Sequence, residues 1–366
     1  MLIFSAVITA EFANKKYRGV MMAAVFAMQG FGILTGAIVS IIFLSIFKNS
    51  IQNNINSLEN VWRLIIAFGI VPCLVAIYFR LTIPETPRFT MQVNNNIDKG
   101  VNDVNYIKTG KKKNVANFIS NILQNDTNKS IFSEFRRHFS QWKNLKLLIG
   151  TSVCWFALDV GFYGATFSTY SILESIGYGG SYEYSNTATN ISINTHNYDV
   201  LFNNAVGYVI IDLMGLLPGY WLTVALIEKL GRKNIQIIGF VLLAVISLIL
   251  GVAFDKLIAN SVGAFIFLFT LLQFFQNFGP NPTTFIYPAE LFPTRLRSTG
   301  HGIAAAIGKV GAIVSLAGFS QLGTSHTSIS TLLIIYSGFM VIGLIFTFLL
   351  PETKGRSLEE INNEDE

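Results

Sequence analysis

Two short stretches decide the fold: EFANKKYRG at residues 11–19 and ELFPTRLRSTG at residues 290–300. In both, an acid (Glu11, Glu290) precedes an arginine (Arg18, Arg297) by seven residues. Each element follows an apolar run and precedes another. Charged turns that recur between apolar runs are expected of a chain that crosses a membrane repeatedly and repeats itself internally. Working outward from them, eight apolar stretches are long enough to span a hydrocarbon core of about 30 Å. They lie at 20–47, 62–83, 147–173, 202–227, 235–254, 262–288, 299–322 and 330–350, and a shorter run precedes Glu11. In lipid the backbone must satisfy its own hydrogen bonds, so each stretch is expected to be a helix. The fold class is an all-α polytopic membrane protein.

Composition agrees. Of 366 residues, 51% are apolar and 13% charged, against about 25% charged in soluble domains. Mean hydropathy is +0.50. Both cysteines, Cys73 and Cys154, sit in apolar runs, which excludes a disulfide scaffold and a cysteine-rich metal site. The four histidines are scattered, and no nucleophile–base pair or nucleotide loop stands out. An enzyme is not expected, nor a cofactor or metal.

The net charge of +5 is a matter of topology. If the C-terminal tail is cytoplasmic and the spans alternate, the inner segments are 11–19, 80–146, 228–234, 290–297 and 351–366. All but four of the 26 Lys and Arg residues (Lys48, Arg63, Lys256 and Lys309) fall in them. That is the positive-inside pattern, and nucleic-acid binding is not expected. Asn190-Ile191-Ser192 then lies outside as a possible glycosylation acceptor, while the sequons at Asn125 and Asn128 lie inside.

The longest polar stretch divides the chain. Residues 1–83 read as a remnant of an N-terminal helix bundle, 84–146 as a cytoplasmic linker, 147–350 as a six-helix bundle and 351–366 as a cytoplasmic tail. The first part of the linker is Asn- and Lys-rich. Its last part, IFSEFRRHFSQWKNLK (131–146), alternates apolar and basic faces and is expected to lie as one amphipathic helix on the membrane surface.

Ionisable residues inside spans are functional candidates by default. Asp159 has Trp155 four residues before it and Tyr163 four after, so all three share one helix face. That face offers an acceptor, an indole donor and a phenolic hydroxyl, groups suited to a ligand with both hydroxyls and anionic oxygens. Lys309 lies about a dozen residues into its span, too deep to reach the interface easily. Gly279-Pro280-Asn281-Pro282 should break a helix in mid-membrane and serve as a gate element; Leu217-Pro218-Gly219 reads as a weaker break. Asp212, in YVIIDLMGLLPGYW, is a second intramembrane acid with no assigned role.

PETPRF (84–89), GRK (231–233) and PETKGRSLEEIN (351–362) resemble the sugar-porter branch of the major facilitator superfamily. WFALDVGFYG (155–164), QFFQNFGPNPTTFIYPAELFPTRLRSTGHG (273–302) and GKVGA (308–312) are similar to the eukaryotic proton-coupled inorganic phosphate transporters of that branch. The resemblance implies two parallel six-span halves. On that plan Glu11 ends a fourth span, and Met1 and Leu2 stand where the family has the Asp and Tyr of its Gly-Gly-Asp-Tyr-Pro-Leu-Ser motif. The expectation is a major facilitator fold with the first three spans and part of the fourth missing.

The resemblance further implies proton-coupled phosphate symport by alternating access in the plasma membrane. Phosphate would be held by Gln29, Trp155, Asp159, Tyr163 and an asparagine, placed at Asn277 with Asn281 as the alternative. Trp, Tyr and Asn would act as donors. Asp159 and Lys309 would form a pair that substrate releases, and proton and phosphate occupancy would be coupled. Glu11, Arg18, Arg232, Lys233, Glu290 and Arg297 would form a cytoplasmic charge network, each exposed pair being worth little by itself. Partners are phosphate, protons and the bilayer. Two other readings stay open: a sugar or organic-ion porter, and a non-transporting remnant or sensor.

Overall fold

The computed structural model describes residues 2–82, 90, 131–184, 187–322 and 326–362. PETPRF, the Asn/Lys-rich linker and the sequons at Asn125 and Asn128 lie outside these residues. Among the described residues the regular structure is helical throughout.

The first part of the chain forms α1 (Leu2–Phe12), α2 (Arg18–Ile46), α3 (Lys48–Asn53) and α4 (Leu58–Thr82). Then come α5 (Ile131–Phe139), α6 (Trp142–Ser175), α7 (Ile191–Ile211), a π-helical turn (Asp212–Leu216), α8 (Leu217–Leu230) and α9 (Arg232–Val252). The chain continues through α10 (Phe254–Asn260), α11 (Val262–Asn277), α12 (Pro280–Leu291), α13 (Thr294–Leu322), α14 (His326–Thr347) and α15 (Leu358–Asn362). Among the described residues, eight stretches are long and apolar enough to cross a membrane, and each overlaps one of the eight read from the sequence.

Local chemistry sets the boundaries. Asn190 accepts a hydrogen bond from the Ile193 N–H at 3.4 Å and caps α7. Gly231, at φ +88°, separates α8 from α9 in a conformation that favours glycine. Pro218 cannot donate a backbone hydrogen bond, and it stands two residues after the wide turn at 212–216. The Gly279-Pro280 break separates α11 from α12, as its composition demands.

Packing is centred on α6, which lies against α13 and α14 and also touches α12; α9 pairs with α14. Leu158, Phe240, Phe265 and Leu333 are buried in this core. α2 packs on α7 and α8 and so joins the first part of the chain to the six-span bundle. α4 touches mainly α2 and presents Leu74, Tyr78 and Phe79 outward, as a lipid-facing helix does.

The linker helix differs from expectation. The 131–146 stretch is not one surface helix. α5 stops at Phe139, and Trp142 already opens α6, five residues before the boundary at 147. Phe139 is buried edge-on against Phe292, with ring centroids 5.8 Å apart. Glu134 meets Arg295 at 3.3 Å. The apolar face of α5 therefore packs on protein at the α12–α13 turn.

Candidate functional site

Trp155, Asp159 and Tyr163 share one face of α6, and α13 brings Lys309 to it. Lys309 Nζ lies 3.1 Å from Asp159 Oδ2 and donates to the Tyr163 hydroxyl at 2.8 Å. It also sits 4.6 Å from the centre of the Tyr163 ring. Trp155 lines the same wall as Asp159. Asp159 is buried, while more than half of the Lys309 side chain is open. These residues line a cavity of about 390 Å³ together with Phe26 and Gln29 of α2 and Asn281 of α12. The indole is held by close approach: a Cβ on Gly308 would stand 2.6 Å from Trp155 Cδ1.

Asn281 lines the cavity, whereas Asn277 is fully buried behind it. Asn281 Nδ2 donates to the Tyr220 hydroxyl and to Asn277 Oδ1, both at 2.8 Å. Asn277 Nδ2 donates in turn to the Gln273 carbonyl at 2.7 Å. With both its amide hydrogens engaged, Asn281 offers a ligand an acceptor and not the donor expected from the sequence. Gly279 and Gly239 let α9 touch the helix break, since a Cβ on Gly279 would stand 2.7 Å from Gly239 Cα. Below the cavity, His301 is fully buried between Trp155 and Phe285, each 5.6 Å away centre to centre.

One turn before His301 on α13, Arg297 belongs to a buried charge cluster. The two repeated motifs exchange partners there. Arg297 of the second pairs with Glu11 of the first, and Arg18 of the first pairs with Glu290 of the second, both at 2.9 Å. Glu290 also takes Arg232 at 2.8 Å and the Thr353 hydroxyl at 2.5 Å. Arg232 is bidentate to Glu228 as well, at 2.8 and 3.0 Å. Gly19 admits this packing, because a Cβ there would stand 2.6 Å from both the Arg232 guanidinium carbon and Glu228 Oε1. The side chains of Glu11, Arg18, Arg232, Glu290 and Arg297 are at most 3% exposed.

The expectation of exposed pairs is therefore corrected: helix ends from both parts of the chain close over these charges. Among the described residues, Lys233 makes no carboxylate pair through its side chain. Its Nζ donates to the Leu350 carbonyl at 2.8 Å, and its backbone N–H to Glu352 at 3.0 Å. Lys15 pairs with Glu360 on the surface at 2.9 Å, where the hydrogen bond from Lys15 holds the Glu360 carboxyl below its usual range.

Sequence reasoning missed Glu228, Glu352 and Thr353. Glu228 stands four residues before Arg232, a spacing that favours a helical ion pair. Glu352 and Thr353 lie in PETKG, where the sequence shows only the family motif.

The chain is 40% identical over 385 residues to a repressible high-affinity phosphate permease of Neurospora crassa, covering 98% of this chain and 65% of that one. It is 38% identical over 391 residues to an inorganic phosphate transporter of Saccharomyces cerevisiae, covering 98% and 64%. It thus spans about two thirds of the length of these relatives. A solved proton:xylose symporter of the major facilitator superfamily superposes with a TM-score of 0.72 at 21% identity, over 98% of this chain and 70% of that one. That likeness concerns the fold, which is the major facilitator fold. The sequence model of one transporter family matches residues 2–364, nearly from end to end. Helices, cavity and sequence thus agree that the chain belongs to the Sugar (and other) transporter family.

Proposed function

We propose that this protein carries out proton-coupled symport of inorganic phosphate by alternating access. On this reading it sits in the plasma membrane, with the 84–146 linker, the buried charge cluster and the 351–366 tail on the cytoplasmic side. The observation that carries the proposal is the Asp159–Lys309–Tyr163 cluster on the cavity wall. A sugar gives Lys309 no charge to meet. Dihydrogen phosphate offers anionic oxygens to Lys309 and hydroxyl protons to Asp159 and to the Asn281 acceptor. The likeness to fungal phosphate transporters supports the same substrate.

Phosphate arriving at Lys309 takes the place of Asp159, and Gln29, Trp155 and Tyr163 complete the donors. Asp159, released from its cation beside an anion, accepts a proton. Each ligand thereby strengthens the binding of the other, which is the thermodynamic content of symport. Opening and closing of the Glu11, Arg18, Glu228, Arg232, Glu290 and Arg297 cluster would separate the two access states.

The test is uptake of radiolabelled phosphate by the full chain in proteoliposomes, with excess glucose or xylose as competitor. Removing a hydrogen bond to a charged group costs about 1.5–3 kcal/mol. Asp159→Asn and Lys309→Ala should therefore each lose about tenfold or more of the uptake, and sugars should not compete. Normal uptake by either variant, or competition by sugar, overturns the reading.

A further inference from the structure

We propose that Asp212 is a proton-binding site on the translocation route, on the side of the central cavity away from the charge cluster. A second cavity, of about 600 Å³, runs between α2, α4, α6 and α7. It continues the first along the same helices. α2 lines the central cavity with Phe26 and Gln29, then the second with Ile33, Ala37 and Ser40. α6 does the same with Asp159 and Tyr163, then with Tyr170. α2 begins at the charge cluster with Arg18, so along it the two cavities lie in series away from the cluster.

Asp212 lines this second cavity and is 3% exposed. Its Oδ2 is buried with no hydrogen-bond donor among the described residues. The titratable groups that share the cavity wall are Tyr208 from α7, Tyr170 from α6 and Tyr182 from the segment after α6. α2 contributes Ser40, α4 contributes Trp62, and among the described lining residues no cation faces the acid. Thr270 and Gln273 of α11 pack against Gly215 of the same turn and are neutral. The acid stands at the start of the π-helical turn, a distortion often found at functional sites.

A carboxylate buried in a membrane interior with neither cation nor donor is expensive. The wall is mostly apolar, with neutral polar groups only besides Asp212, and a proton from the cavity removes the charge at a single atom. Asp212 thus has what a proton-loading group needs: access from a cavity, no counter-ion to compete, and a place before Asp159 on the path.

The experiment has two arms, and only the second rests on the phosphate reading. In the first, the purified full chain without phosphate is titrated by difference infrared spectroscopy. The wild type should show the carbonyl band of a protonated carboxylic acid that titrates and is absent from Asp212→Asn. In the second, phosphate uptake into proteoliposomes is followed as the pH on the cavity side is varied. Asp212→Asn should lose at least about tenfold of the acceleration by acid, and Asp212→Glu should restore it. Size-exclusion profiles of both variants monitor folding, and the Glu variant keeps the test decisive if Asp212→Asn fails to fold. Identical infrared titrations in wild type and Asp212→Asn overturn the proposal. So does an unchanged pH profile in a variant that still takes up phosphate. If the infrared band is lost but no chain takes up phosphate, the proton site stands and the phosphate reading falls.

Discussion

Glu290 ties Arg18, Arg232 and Thr353 together in the charge cluster. It is fully buried and answers two guanidinium groups and a hydroxyl. Glu11 answers Arg297 through Oε1, while its Oε2 has no hydrogen-bond partner among the described residues. Removing one member of a buried pair costs about 3–5 kcal/mol, because the other charge stays buried. Glu290→Gln should therefore lose about that much stability, and Glu11→Gln less, in thermal or denaturant unfolding of the detergent-solubilised protein. Equal losses would show that the second guanidinium adds nothing. The sequence made half of this legible. The seven-residue Glu/Arg spacing pointed to both motifs, but nothing local says that Glu11 meets Arg297 or that Arg18 meets Glu290. That exchange depends on how two distant turns are brought together by α1, α2, α12 and α13. The asparagine ambiguity has the same origin. Asn277 and Asn281 are one turn apart across a helix break, and only the geometry of the break turns Asn281 toward the cavity.

At the scale of elements, span length and apolarity were sufficient to place all eight long helices, because lipid leaves the backbone few alternatives. The α5–α6 junction was not legible, because it is set by Phe139 seated against Phe292, a contact 153 residues away in the chain. His138 makes that docking sensitive to pH. Burial holds its imidazole below the ordinary value, and Arg137 adds to this against the opposing pull of Glu134. With the docked value lowered, the undocked form binds more protons. Docking is then complete above the ordinary histidine value of about 6.5 and weakens as pH falls below it. Amide exchange across 131–139, corrected for intrinsic rates, should quicken on acidification in the wild type and not in His138→Gln. The helix break makes a second prediction. A Cβ on Gly279 would stand 2.6 Å from the Phe275 carbonyl oxygen, backbone against backbone. Another approach, of 2.7 Å, would be to Gly239 Cα of α9, so Gly279→Ala should cost about 1–3 kcal/mol through displacement of both α9 and the end of α11 from the break. Gly36→Ala, which meets nothing within 4 Å, should not destabilise the protein.

Across the whole molecule, one end is tied shut while the cavities lie in series away from it. Glu11, Arg18 and the Gly19 N–H tie α1 and α2 to α8, α12 and α13, so these ties exist only while the two parts of the chain are together at that end. If transport requires that end to open, the ties stabilise the closed state alone, and weakening them must shift the population. Glutamine at position 11 keeps the shape but gives up the charge. Losing a charge-assisted bond is worth about 1.5–3 kcal/mol, and each 1.4 kcal/mol is a factor of about ten in an equilibrium. The open-end population in Glu11→Gln should rise by about ten- to a hundredfold. Ala305 lines the central cavity and can report it as cysteine. Cys73 is exposed and is replaced by serine, whereas Cys154 is fully buried and stays silent. An impermeant maleimide applied from the side of the charge cluster should then label Ala305→Cys slowly in the parent and much faster with Glu11→Gln. Labelling from the other side should slow only to the extent that the closed-end population is depleted. Equal rates in both backgrounds would mean that the cluster holds the fold together in every state and does not distinguish one access state from the other.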